Sequence, residues 1–287
     1  MPKQPDQERD TEEAAGGAGS AVSFEKPPVI ETVLGFQFQP LAALTGPQLG
    51  AYWKHLGGDW PEVDFAPPLE RQFETFGDLP DLHKLRLRIT QEPVRLRIRK
   101  VTGDRMIQVQ NGRFHYNWLG QEGKTYPRYA DAVRPEFAQA LGGFLGFVQA
   151  NELGEVQPNQ WEVTYVNHLV KGRVWERPED WARLFNGLPG PFRDTDTAHL
   201  EGFSGHWRYE IPDRRGRLHV EIKHGRVGPP PGDEAIVMTL TARGSTPEAS
   251  DVVEQIGSGL DLGHQVIVES FRDLASDEAR QHWGEIG

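Results

Sequence analysis

The stretch Met106-Ile-Gln-Val-Gln-Asn-Gly-Arg-Phe-His-Tyr-Asn-Trp118 decides the fold, because apolar and polar residues alternate on both sides of Asn111 and Gly112. An Asn-Gly pair between two alternating runs predicts a tight antiparallel hairpin. Upstream, residues 84–89 and 94–99 alternate in the same way and predict two more strands. We therefore expect an antiparallel sheet over residues 84–118.

Strand and helix patterns on either side of this sheet occur in the same order twice. The first half predicts a strand at 29–38, a helix over 45–56 with Thr45 as its N-cap, the sheet, and a long helix over about 129–148. The second half predicts a strand at 161–170, a short helix at 178–185, strands at 199–211, 217–226 and 235–242, and a long helix at 248–274. Three glycines, Gly257, Gly259 and Gly263, are expected to kink or break that last helix.

This order predicts an α+β fold of two β-α-β-β-β-α repeats. Each curved antiparallel sheet would have one face covered by its long helix and the other face open. The predicted boundaries are a disordered acidic tail at 1–24, a first helix-grip-like repeat at 25–154 and a second at 155–287. The tail is expected to be disordered because it has too little apolar surface to offset the entropy of ordering.

Composition limits the classes of function. The 287 residues contain no cysteine, which excludes disulfides, thiolate catalysis and cysteine-ligated metal sites. The net charge of −11 argues against a protein that coats nucleic acid through a cationic surface. Because the start of the chain is polar and no apolar run approaches the roughly 20 residues of a membrane helix, we expect a cytoplasmic protein without membrane contact.

Several short motifs resemble those of a sporadically distributed bacterial family of uncharacterised proteins. They are the opening Lys26-Pro-Pro-Val-Ile-Glu31, the hairpin at 107–118, Tyr126-Pro-Arg-Tyr129, Glu162-Val-Thr-Tyr-Val-Asn-His168, Leu262-Gly-His264, Phe271 and Trp283-Gly284. The repeated unit is also similar in topology to the helix-grip units of TATA-binding proteins. The family resemblance implies accessory gene cargo, such as a toxin–antitoxin-like or phage-defence component, but no activity.

A basic ladder stands out on the two strands that precede the hairpin. Residues 84–100 contain seven positively charged residues and one acidic residue, Glu92. Strand alternation places most of them on one face, which suggests a surface for nucleic acid, a nucleotide or an acidic partner. The alternative is a solvated face whose charges are matched by acids from the tail, a loop or the other half. The ladder consists of Lys84, Arg86, Arg88, Arg95, Arg97, Arg99 and Lys100.

A second polar cluster lies in the strand at 161–170. Glu162 and His168 fall on one strand face, and Asn167 lies beside them in sequence. A Glu–His pair could perform acid–base chemistry or help to bind a metal. The alternative is a structural hydrogen-bond network, since no third ligand or nucleophile has diagnostic spacing. The sequence therefore predicts no catalytic residue, metal site or cofactor.

These features favour a non-enzymatic binding protein over an enzyme. Our first hypothesis is that the open sheet face, or the seam between repeats, holds a protein partner. The second is nucleic-acid or nucleotide recognition by the arginine ladder. The third is a small-ligand site or hydrolytic enzyme around Glu162 and His168.

Overall fold

A computed structural model describes residues 22–77, 95–187, 197–249 and 251–286. Its centre is a nine-stranded antiparallel sheet in the order β3-β4-β5-β6-β2-β7-β10-β9-β8. The strands are β2 (Val29–Phe38), β3 (Glu62–Ala66), β4 (Arg95–Arg99), β5 (Arg105–Gln110), β6 (Arg113–Leu119), β7 (Pro158–Val170), β8 (Ser204–Ile211), β9 (Gly216–Val227) and β10 (Asp233–Gly244). A separate two-stranded ribbon pairs β1 (Ser23–Phe24) with β11 (Glu285–Ile286).

Two long helices cover one face of the sheet. They are α2 (Arg134–Ala150), which continues a π-helical turn at Tyr129–Val133, and α4 (Val252–Leu274). Shorter helices are α1 (Gly46–His55), α3 (Trp181–Leu184) and α5 (Asp277–Trp283). Within the described part of the chain, no helix is long and apolar enough to cross a membrane.

The core lies between the sheet and the long helices. Phe36 of β2 and Phe114 of β6 are opposite each other in register, and Phe114 stacks on Phe144 of α2 with ring centroids 4.9 Å apart. All three side chains are fully buried. Because strand residues alternate between faces, these aromatic residues leave the polar positions of the same strands on the opposite face.

The glycines of α4 bring the helix close to the sheet. They do not break it, since α4 is one helix from Val252 to Leu274. A Cβ on Gly259 would collide with the Trp161 ring, and one on Gly263 would lie 2.8 Å from Trp161 Cζ3. These glycines therefore make room for the largest buried side chain of β7.

The α+β class, the large antiparallel sheet and the hairpin at Asn111-Gly112 are confirmed. Thr45 occupies the predicted N-cap of α1, but its side chain makes no capping hydrogen bond. Strand β3 was not predicted and lies between the predicted helix at 45–56 and the predicted sheet. The strand predicted at 84–89, with Lys84, Arg86 and Arg88, lies outside the described residues.

Candidate functional site

The sheet face opposite the helices is polar across its whole width. One row of laterally paired residues crosses all nine strands, and each member except a central glycine has a polar side chain. In sheet order the row is Asp64, Arg97, Gln108, His115, Gly35, Glu162, Arg243, Arg217 and Glu210. We call this surface the polar face. Gly35 sits at the middle of the row because a Cβ there would collide with the His115 ring.

Glu162 lies at the centre of the polar face and is enclosed by positive or titratable groups. Its carboxylate is 3.8 Å from Arg113 Nη1, 3.7 Å from His115 Nε2 and 3.7 Å from Arg243 Nη1, and its side chain is 15% exposed. Burial alone would raise the pKa of Glu162, but His115, Arg113 and Arg243 lower it. Burial lowers the pKa of His115 to about 4, so this ring is neutral at pH 7.

The polar face is not open, contrary to the sequence-based expectation. Residues 67–77, which we call the strap, run across it without regular secondary structure. The Gln110 amide accepts from Leu69 N and donates to Leu69 O, both at 2.9 Å. Arg113 donates to the Glu70 carbonyl, Gln37 accepts from Gln72 N, and Arg217 donates to the Thr75 carbonyl.

One strap side chain, that of Glu74, is held by three residues of the second half. Its carboxylate is 2.7 Å from Arg217 Nη1, 2.7 Å from His219 Nε2 and 2.5 Å from Arg243 Nε. The side chain is 6% exposed. Although burial alone would raise the pKa of Glu74, hydrogen bonds with His219 and Arg243 lower it to about 2. The strap carboxylate is therefore ionised and bound at neutral pH.

The described part of the arginine ladder lies on the polar face beside the strap. Arg97 forms a bidentate pair at 2.7 and 2.8 Å with Asp64, which lies on the neighbouring strand β3 and not on the tail, a loop or the other half. Arg95 is partly buried, and its Nε has no hydrogen-bond partner among the described residues. Burial lowers the pKa of Arg95. Arg99 is opposite Glu62 in register. Arg86 and Arg88 lie outside the described residues.

The structure separates Glu162 from its predicted partner His168. They are six residues apart on β7, about 20 Å at about 3.3 Å per residue, so the proposed acid–base pair does not form and His115 stands beside Glu162 instead. Burial lowers the pKa of His168. Asn167 is on the helix side, where its Nδ2 donates to the Met238 carbonyl at 3.2 Å.

Sequence reasoning missed the carboxylate clamp of Glu74, Arg217, His219 and Arg243. A signal existed in β9, where Arg217 and His219 alternate with buried Leu218 and Val220 just as the ladder arginines do in β4. Glu74 has no such signal, because it lies in an irregular segment whose path over the sheet is set by tertiary contacts.

The arrangement is suited to holding carboxylates and backbone amides. No cluster of metal-ligating side chains is present in the described ranges. No protein-family model matches the chain, and a search of curated proteins finds no significantly similar sequence.

Proposed function

We propose that this chain is a non-enzymatic binding protein whose polar face holds an extended, acidic segment of a protein partner. The strap supports this proposal most strongly, because it already shows an extended chain with a buried carboxylate lying on that face. In this conformation the strap occupies the place that the partner segment would take.

The contacts to the strap backbone would suit many sequences. Gln110 pairs with both the N–H and the carbonyl of one residue, Leu69, and Gln37, Arg113 and Arg217 contact other backbone groups. Every peptide presents these groups. The Glu74 clamp adds a requirement for one carboxylate, since Arg217 and Arg243 bring two positive charges to it.

The strap is exchangeable because few apolar contacts hold it. Most of its side chains are exposed, and Phe73 is 54% exposed. Its position depends on polar contacts, which a second peptide can replace one for one. A nucleic-acid ligand fits less well, because Asp64 already neutralises Arg97 and the polar face carries an anion at its centre, Glu162.

The two-repeat architecture belongs to the same proposal. Strands β2–β6 with α2 form one unit and β7–β10 with α4 the other, and they pair at β2 and β7. In the described part of the first unit, four strands follow α1, one more than the expected pattern. The partner segment would cross this seam as the strap does. A helix-grip relationship and a defence or toxin–antitoxin role are consistent with a binding protein of this kind.

The test uses a peptide with the strap sequence Pro-Pro-Leu-Glu-Arg-Gln-Phe-Glu-Thr-Phe-Gly and a full-length variant whose residues 67–77 are replaced by glycine and serine. Fluorescence anisotropy should show salt-sensitive binding to this variant and weaker binding to the intact chain. Arg243→Ala in the same background should weaken binding at least tenfold, as should Glu74→Gln in the peptide.

Arg208→Ala is the matched control, because Arg208 is exposed on edge strand β8, opposite His219 in register. It should leave the affinity unchanged. Absence of peptide binding to the folded variant, or binding that Arg243→Ala does not alter, would overturn the proposal. Tighter binding of a single-stranded oligonucleotide than of the peptide would replace it with the nucleic-acid hypothesis.

A further inference from the structure

A cavity of about 250 Å³ lies on the helix side of the sheet, on the opposite side from the polar face. Its apolar wall includes Phe24, Leu240, Ile267 and Phe271, from the N-terminal ribbon, β10 and α4. By comparison with a cavity of about 150 Å³ that binds benzene, this volume has room for roughly ten non-hydrogen atoms, the size of a bicyclic aromatic ring.

Polar side chains from three elements converge on this cavity. The Tyr126 and Tyr165 hydroxyls are 2.9 Å apart, and Tyr165 Oη is 2.8 Å from His264 Nδ1. Because Tyr165 occupies Nδ1, the second ring nitrogen of His264, Nε2, is left for a ligand. Asn167 is 3% exposed and uses its Nδ2 on the Met238 carbonyl, which leaves its Oδ1 as an acceptor at the wall.

The groups inside the cavity are neutral, which limits the charge of a ligand. Burial lowers the pKa of His264 to about 4 and raises the pKa of Tyr126 to about 12, so neither is charged at pH 7. Of the cavity residues, Arg128 and Asp131 are charged, and both are exposed. A charged ligand would lose hydration without gaining a buried counter-ion, so a neutral molecule is favoured.

The backbone at the cavity is strained. Arg128 has φ 64° and ψ 146°, a combination that is rare for a residue with a side chain. The π-helical turn Tyr129–Val133 follows it, and such turns are frequent at functional sites. Together they place the Tyr129 ring parallel to His264, with centroids 3.8 Å apart, and its hydroxyl 2.6 Å from Asp261 Oδ1. Stacking on Tyr129 and the contact with Tyr165 hold the orientation of the His264 ring.

We propose that this cavity binds a neutral bicyclic aromatic molecule with an O–H or N–H group, the ring packing against the apolar wall and the polar group meeting Asn167 and His264. This site is separate from the polar face. Hydrogen bonding to Asn167 and His264 provides selectivity, because an apolar molecule of the same shape leaves those groups unpaired.

Binding of 2-naphthol and of naphthalene to the full-length chain tests the proposal by ligand-observed NMR. The intact protein should bind 2-naphthol about tenfold more tightly than naphthalene. Asn167→Leu should reduce that preference. Since a buried asparagine can also be needed for folding, Val268→Trp serves as a second variant, because Val268 is a partly exposed wall residue and the larger ring should block both compounds.

Leu145→Trp is the matched control, since it makes the same kind of enlargement on α2 at a different, shallow pocket. It should retain 2-naphthol binding. The proposal is overturned if the intact protein does not bind 2-naphthol, if it binds both compounds equally, or if a folded Val268→Trp protein still binds them. Glu74→Gln should not affect any of these results, so failure here and failure of the polar-face proposal are distinguishable.

Discussion

Replacing Glu74 with glutamine should release the strap from the polar face. The substitution keeps the size of the side chain but removes its charge. It leaves Arg217 and Arg243 on the face without the carboxylate that lies 2.7 and 2.5 Å from them in the native chain. Because these arginines are largely buried under the strap, their charges favour a state in which the strap detaches and water reaches them.

The size of the effect follows from the pKa of Glu74. The pKa is lowered from 4.5 to about 2, and at about 1.4 kcal/mol per unit this corresponds to about 3 kcal/mol of stabilisation of the ionised form. The stabilisation is present above pH 4.5 and is lost as the pH falls towards 2. Glutamine can keep one hydrogen bond, so the strap of the variant should open between tenfold and about 100-fold more often.

Trypsin can measure this opening. Arg71 is an exposed residue of the strap, and a protease cleaves a segment in proportion to its open population when opening is fast. Mass spectrometry of the Arg71–Gln72 bond should show cleavage at least tenfold faster in Glu74→Gln than in the native protein at pH 7. Global unfolding in urea should change less, since the strap can detach alone.

Glu70→Gln is the control, because it removes the same charge from an exposed strap side chain that contacts the face through its backbone carbonyl. Its cleavage rate should stay within about twofold of the native rate. If Glu74→Gln behaves like Glu70→Gln, the clamp does not hold the strap and the electrostatic argument is refuted.

Other substitutions test the packing and the charges. Gly259→Ala should destabilise the fold by about 1–3 kcal/mol in urea unfolding, because the added methyl group would overlap Trp161. Gly142→Ala is the control, since Gly142 in α2 has open space around it. This change should be neutral or should stabilise the fold by up to about 1 kcal/mol. Stability should fall by up to about 3 kcal/mol between pH 6.5 and about 4, because the unfolded chain protonates His115 in that range and the folded chain does not. In the folded chain, burial of the ring, with Arg113 and Arg95 nearby, lowers the pKa of His115 and outweighs the opposite effect of Glu162. His115→Gln should remove that part of the pH dependence. Arg97→Ala should cost less than about 1 kcal/mol, because its pair with Asp64 is solvent-exposed.

The elements that the sequence predicts well are those whose signal is local. The Asn111-Gly112 turn fixes the register of β5 and β6, and alternation then places Phe114 in the core and His115 on the polar face. The same alternation separates Glu162 from Asn167 across β7. Alternation does not predict that Glu162 and His168 are neighbours. They share a strand face, but six positions along β7 separate them.

The strap and the cavity could not be predicted because tertiary packing creates both. Glu74 lies 143 residues from Arg217 and 169 from Arg243, and an irregular segment has no periodicity that indicates which surface it covers. The glycines of α4 show the same limit. Local propensity predicts a break, but the helix persists, and Gly259 and Gly263 allow it to pack closely on Trp161.

The strap also sets a requirement that any partner must meet. If its contacts hold it by a net of about 3 kcal/mol, the polar face is free roughly 1% of the time. A partner segment that makes only the same contacts then binds the strap-covered protein about 100-fold more weakly than it would bind a protein with an empty polar face. A physiological partner must therefore also contact residues outside the strap footprint. Two described arginines on the same face lie outside the strap contacts, Arg99 on β4 and Arg208 on β8. They are near opposite edges of the sheet. A partner that gains affinity from either should lose it when that arginine is replaced, even though the strap does not need it.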